Sequence, residues 1–152
     1  MNRSALSRLL LAGLVTGIAD GLFSSVLSVA FYGSTVARLF RGVASVLLGP
    51  DALQGGTRTA LIGILMHFGV AFAWSAVFLI LYECSQWIRS QRVIVLAAIY
   101  GPLVWMVMSL IVIPLLAHRP PSITIRWWIQ FFGHMLFVGF PIAAIISRGE
   151  RR

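Results

Sequence analysis

Along this chain hydrophobic positions run in long stretches, broken at short, regular intervals by polar residues. Four stretches are nearly free of charge: Leu9–Tyr32, Thr59–Tyr82, Val93–Ala117 and Trp127–Ser147. About 20 apolar residues in a helix cross the hydrocarbon core of a bilayer. The pattern therefore predicts an all-α integral membrane four-helix bundle, with residues 1–152 forming a single transmembrane domain. Tyr32, Tyr82, Trp87, Trp127 and Trp128 fall at or near the predicted ends, where aromatic rings favour the headgroup layer. Pro102 and Pro114 lie inside the third span and Pro141 inside the fourth. They predict local kinks, which membrane helices tolerate when neighbours satisfy the freed carbonyls.

A different periodicity fills the segment between spans one and two. Val36, Leu39, Phe40, Val43, Val46 and Leu47 recur at helical spacing, while Thr35, Arg38, Arg41 and Ser45 take another face. This predicts a short amphipathic helix over residues 35–48. One placement lays it on the outer membrane surface, with Arg38 and Arg41 in contact with lipid headgroups. The other packs it over the outer end of the bundle. The connector GPDALQGGTR then ends it in turn-forming residues.

Composition agrees with a bilayer protein. Of the residues, 59% are hydrophobic and 11% charged, against about 25% charged in soluble domains. The mean hydropathy is +0.94. Every basic residue is arginine and the net charge is +8. The arginines sit in short runs between apolar stretches, as in membrane proteins, and do not form a nucleic-acid-binding face. With four spans, the termini and the 83–92 loop share a side that holds Arg3, Arg8, Arg89, Arg92, Arg148, Arg151 and Arg152. Arg38, Arg41, Arg58, Arg119 and Arg126 occupy the other side. This bias predicts that both termini are cytoplasmic. A secretory signal peptide is the competing reading of the first span, with Gly17-Ile18-Ala19 as cleavage site. The apolar stretch, however, continues through Leu22–Tyr32. The single cysteine, Cys84, excludes an internal disulfide and a cysteine-based metal cage.

Candidate chemistry concentrates inside the spans. Gly13, Gly17 and Gly21 form one stripe at four-residue spacing. Such a stripe lets a second helix approach closely, either from the same chain or from a second copy in a homo-oligomer. Asp20, His67 and His134 are the ionisable residues within the spans, and helical rise puts all three within about one turn of the same depth. Asp20 projects beside the glycine stripe, so it is expected to face the bundle interior and bond to one of the histidines, directly or through a water. His67 and His134 follow similar entries, TRTALIGILMHFGVAF and TIRWWIQFFGHMLFVGF, consistent with either a parallel duplication or coincidence. His118 in the outer loop is expected to be solvated, and Glu83 to pair loosely with Arg89 or Arg92. The sequence has no phosphate-binding glycine loop, no H-E-x-x-H and no G-x-S-x-G, and no residue set points to an enzyme.

Four segments, TVARLFRGVASVLLG, ALIGILMHFGVAFAWSAVFLILY, YGPLVWMVMSLIVIPL and GHMLFVGFPIAA, carry a resemblance across most of residues 10–146. Through them the chain resembles an uncharacterised family of small four-span bacterial inner-membrane proteins. His67 and His134 map onto that family's His-Phe and Gly/Ile-His-Met motifs, and members often carry Asn where this chain has Ser109. The resemblance implies a four-helix integral membrane protein and no activity. Three functional expectations remain. The first is a structural or accessory membrane protein without a cofactor, its partners being membrane lipids. The second is a small transporter or proton-handling protein using Asp20, His67 and His134. The third is a b-type haem protein with both histidines as axial ligands.

Overall fold

The computed structural model describes residues 3–148, and among these every regular element is helical. Arg151 and Arg152, counted above for orientation, lie outside the described residues, and the side chain of Arg3 is likewise not described. Helix α1 (Arg3–Val26) runs on through one wide turn, Leu27–Phe31. Helix α2 (Val36–Leu48) follows, then a 3₁₀ segment (Pro50–Gln54) and α3 (Thr57–Cys84). The short α4 (Gln86–Ser90) leads into α5 (Val93–Val107) and α6 (Ile113–Ala117), which form one rod through a wide turn at Met108–Val112. Helices α7 (Ile125–His134) and α8 (Phe140–Ser147) are joined in the same way by Met135–Gly139. Four rods are long and apolar enough to cross a membrane: Ala5–Phe31, Thr57–Cys84, Val93–Ala117 and Ile125–Ser147. They overlap the expected spans, and three begin earlier because a helix need not stop where the hydrocarbon does.

The wide turns explain two of the prolines. Pro114 and Pro141 each stand at the start of a helix that follows an i→i+5 turn, closed by Ile113 N–H to Met108 O and by Phe140 N–H to Met135 O. Proline cannot donate the next bond of the ladder and its ring crowds the preceding turn. One extra residue per turn makes room for it.

Burial along α1 is inverted relative to a soluble helix. Ala12, Gly13, Thr16, Gly17, Gly21 and Ser28 are buried, while Leu10, Leu14, Ile18, Leu22 and Val26 are exposed. Lipid solvates leucine as well as protein does, so small and polar residues turn inward where helices must approach. The glycine stripe is used within the chain. Phe72 lies over Gly13, Phe68 over Gly17, and His67 beside Gly21. These residues of α3 pack along the stripe. Elsewhere two rods meet backbone to backbone. A Cβ on Gly101 of α5 would strike the His134 carbonyl, and one on Gly139 the Ala97 carbonyl. The main apolar core lies beside this crossing, where Phe78, Tyr82, Tyr100, Ile142 and Ile146 pack together.

Helix α2 lies against the bundle. It packs on α3, with Phe40, Ala44 and Ser45 buried. Its backbone touches α3 where Gly63 faces the Phe40 carbonyl. Ser45, assigned from spacing to the polar face, is buried because its hydroxyl donates to Gly42 O at 2.7 Å, which satisfies it locally. Two aromatic expectations also change. Tyr82 and Trp127 are buried, not set among headgroups. Trp127 Nε1 donates to Ser109 Oγ at 2.8 Å, which gives the indole a polar partner inside the bundle. Glu83 pairs with Arg8 at 2.6 Å. Arg89 reaches the Glu83 backbone carbonyl at 2.7 Å, one of the acceptors that the end of α3 leaves open. Arg8 also donates to Ile146 O at 2.8 Å, so one guanidinium joins α1, α3 and α8.

Candidate functional site

Asp20, His67 and His134 all line one cavity of about 260 Å³ inside the bundle. Helices α1, α3, α5 and α7 contribute its polar wall, and α2 closes it from the side with Leu39, Phe40 and Val43. Helical spacing explains the wall from α1. Thr16, Asp20 and Ser24 recur every four residues, one stripe over from Gly13, Gly17 and Gly21. The glycines bring α3 close, and the polar stripe beside them then faces the space between helices.

His67 is held from two sides. Its Nε2 lies 2.9 Å from the Gly17 carbonyl. A carbonyl only accepts, so Nε2 carries the proton and donates. Phe40 and Phe68 meet the ring edge-on at centroid distances of 5.8 and 5.7 Å. With Nε2 committed, Nδ1 faces Asp20, whose Oδ2 is 4.0 Å away. That is ion-pair contact but too long for a direct hydrogen bond. Asp20 lies nearest His67, but the direct hydrogen bond expected between the acid and a histidine is not formed.

His134 is anchored differently. Its Nδ1 donates to Gln130 O, one turn back on its own helix, at 2.8 Å. Its ring packs on Trp105 at 4.8 Å. Nε2 is left as the nitrogen available for other contacts. Gln130 in turn donates through Nε2 to Ser24 Oγ at 3.4 Å, which links α7 to α1. His67 Nε2 is already bonded, and the rings of Phe40 and Trp105 stand against the two imidazoles.

The cavity wall also carries polar atoms with no hydrogen-bond partner: Thr16 Oγ1, Asp20 Oδ1, Trp105 Nε1 and Gln130 Oε1. Each unsatisfied buried group costs about 1–3 kcal/mol. Thr16, Trp105 and Gln130 are not among the candidates read from the sequence. A signal exists for two of them: Thr16 lies four residues before Asp20, and Gln130 four before His134. Trp105 has no such mark, because it arrives from another span.

The surface arginines divide. Arg41 donates to Gly55 O at 2.6 Å, so part of its guanidinium serves the connector. Arg38 is exposed and lines a second cavity together with Arg119. His118 is exposed, as expected, at the left-handed end of α6.

Fold and site together define a class: an all-α, multi-pass membrane protein whose helices surround a mostly apolar cavity with Asp20, His67 and His134 on its wall. No family model, curated protein or solved structure matches the chain, so its chemistry is read from its own residues.

Proposed function

We propose that this chain is a small protein of the bacterial inner membrane that takes up and releases protons, or a small polar solute with them, at Asp20, His67 and His134. The supporting observation is the meeting of the Asp20 carboxyl and the His67 imidazole at 4.0 Å on a cavity wall that also holds unpartnered polar atoms. A purely structural polar cluster would be bonded internally, because bilayer hydrocarbon offers no substitute partners. Here each histidine spends one nitrogen on a backbone carbonyl, and the other nitrogen of His67 faces Asp20. A carboxyl and an imidazole within reach of one bridging water can pass a proton between them. The resemblance to small four-span inner-membrane proteins and the arginine bias support the same location, with cytoplasmic termini.

Reconstitution tests the reading. Liposomes carrying the protein and a trapped pH-sensitive dye are given a pH step, with membrane voltage clamped by potassium and valinomycin. Wild type is expected to dissipate the step at least about tenfold faster than Asp20→Asn, with His67→Gln in between, as for loss of a proton-relay group. Wild-type liposomes no faster than Asp20→Asn liposomes would overturn it.

A further inference from the structure

A second cavity, of about 510 Å³, lies between α2, α3 and the α5–α6 rod. This is within the range of small-molecule sites. Its walls are apolar, with Val46, Leu47, Met66, Val112 and Leu116 among them. Arg38 and Arg119 are its charged lining residues. Arg38 lies in the first turn of α2, and Arg119 follows the end of α6, so both stand at the end of the bundle where spans one and three finish. Met66 and Met108 mark the deep part. Each is nine residues from the end of its rod, about 13 Å down at the helical rise. Among the described residues neither arginine has a carboxylate within ion-pair distance. Gly42 on the α2 side of the groove has open space where a side chain would be.

Two unpaired guanidiniums at headgroup level above an apolar slot fit one kind of occupant. We propose that the groove binds an anionic phospholipid, with one acyl chain between α2 and the α5–α6 rod and its phosphate gripped by Arg38 and Arg119. Arginine presents a planar fork of donors that matches phosphate oxygens. An apolar tail between helices exchanges little with the surrounding lipid, so the charge pair supplies the selectivity. The site is separate from the cavity at Asp20, although Leu39, Val43, Val70, Met108 and Ile113 form a wall common to both. It stands whether or not Asp20 handles protons.

Native mass spectrometry of the detergent-purified protein tests this, with phosphatidylglycerol and phosphatidylcholine of identical acyl chains as probes. Two arginines near an anionic headgroup predict a wild-type preference for phosphatidylglycerol of about thirtyfold. Arg38→Gln with Arg119→Gln is expected to reduce it to about threefold or less. The Arg58→Gln variant, whose arginine does not line the groove, keeps the wild-type value. Gly42→Phe retains both arginines but fills the slot, and is expected to weaken phosphatidylglycerol binding at least about tenfold. Glycerol phosphate, a headgroup without a tail, is expected not to displace the lipid at millimolar concentration. Equal wild-type affinity for the two lipids would overturn the proposal. So would an unchanged preference in the double arginine variant, unaltered binding in Gly42→Phe, or full displacement by glycerol phosphate.

Discussion

Asp20 is a carboxyl group inside a membrane-spanning rod. A carboxylate at the centre of a bilayer costs about 2.5–3.5 kcal/mol on insertion scales. Its neighbours reduce that cost without removing it. His67 comes within 4.0 Å of Oδ2, while Oδ1 remains without a partner. The two residues therefore differ in what they give the fold. His67 gives the Gly17 carbonyl a second hydrogen bond, beside the one it accepts within α1, and packs between Phe40 and Phe68. His67→Leu is expected to destabilise by about 0.5–1.5 kcal/mol, since it removes that bond while the helix still pairs the carbonyl. Asp20→Leu removes a desolvated acid and is expected to leave stability unchanged or raise it. Thermal unfolding in one detergent compares the two. If Asp20→Leu proved the more destabilising, the acid would be a structural tie and the proton-handling reading would lose its basis.

At the scale of elements, α2 decides how closed the site is. Its backbone approaches α3 only because Gly63 has no side chain. That contact puts the Phe40 ring beside His67 and Leu39, Phe40 and Val43 across the cavity. Gly63→Leu is expected to cost about 1–3 kcal/mol through overpacking, and to separate α2 from α3. Gly69, on the same helix, faces open space, and Gly69→Leu is expected to be neutral or to stabilise by up to about 1 kcal/mol through helix propensity. Unfolding temperatures of the two variants check this; equal losses would mean that α2 is not seated at Gly63.

For the whole molecule, charge and apolar belt act together. Exposed Leu, Ile, Val and Phe cover the four rods, while the arginines gather at their ends. Seven arginines on the terminal side against five on the other predict that both termini face the cytoplasm. A C-terminal fluorescent-protein fusion is expected to be bright and a C-terminal alkaline phosphatase fusion inactive. The opposite pair of results would reverse the orientation, and with it the direction in which the cavity meets a proton gradient.

The sequence by itself determined the four spans, the amphipathic segment after the first, and the depth of Asp20, His67 and His134. These depend on local quantities: the length of an apolar run and a rise of about 1.5 Å per residue. Azimuth and partner were less legible. The spacing of the glycine stripe announced a close contact, but only packing showed that Phe68, Phe72 and His67 of the same chain fill it. Hydrophobicity sorts residues poorly when both lipid and core are apolar, so Tyr82 and Trp127 read as interfacial although they are buried. For the same reason the periodicity of α2 could not distinguish lipid from α3. Trp105 reached the site from a third rod through a crossing that Gly101 and Gly139 permit. Tertiary structure alone chose His67 as the nearest imidazole to Asp20, because that choice depends on which helix comes within reach of Gly17 and Gly21, a distance between rods that no property of a single span contains.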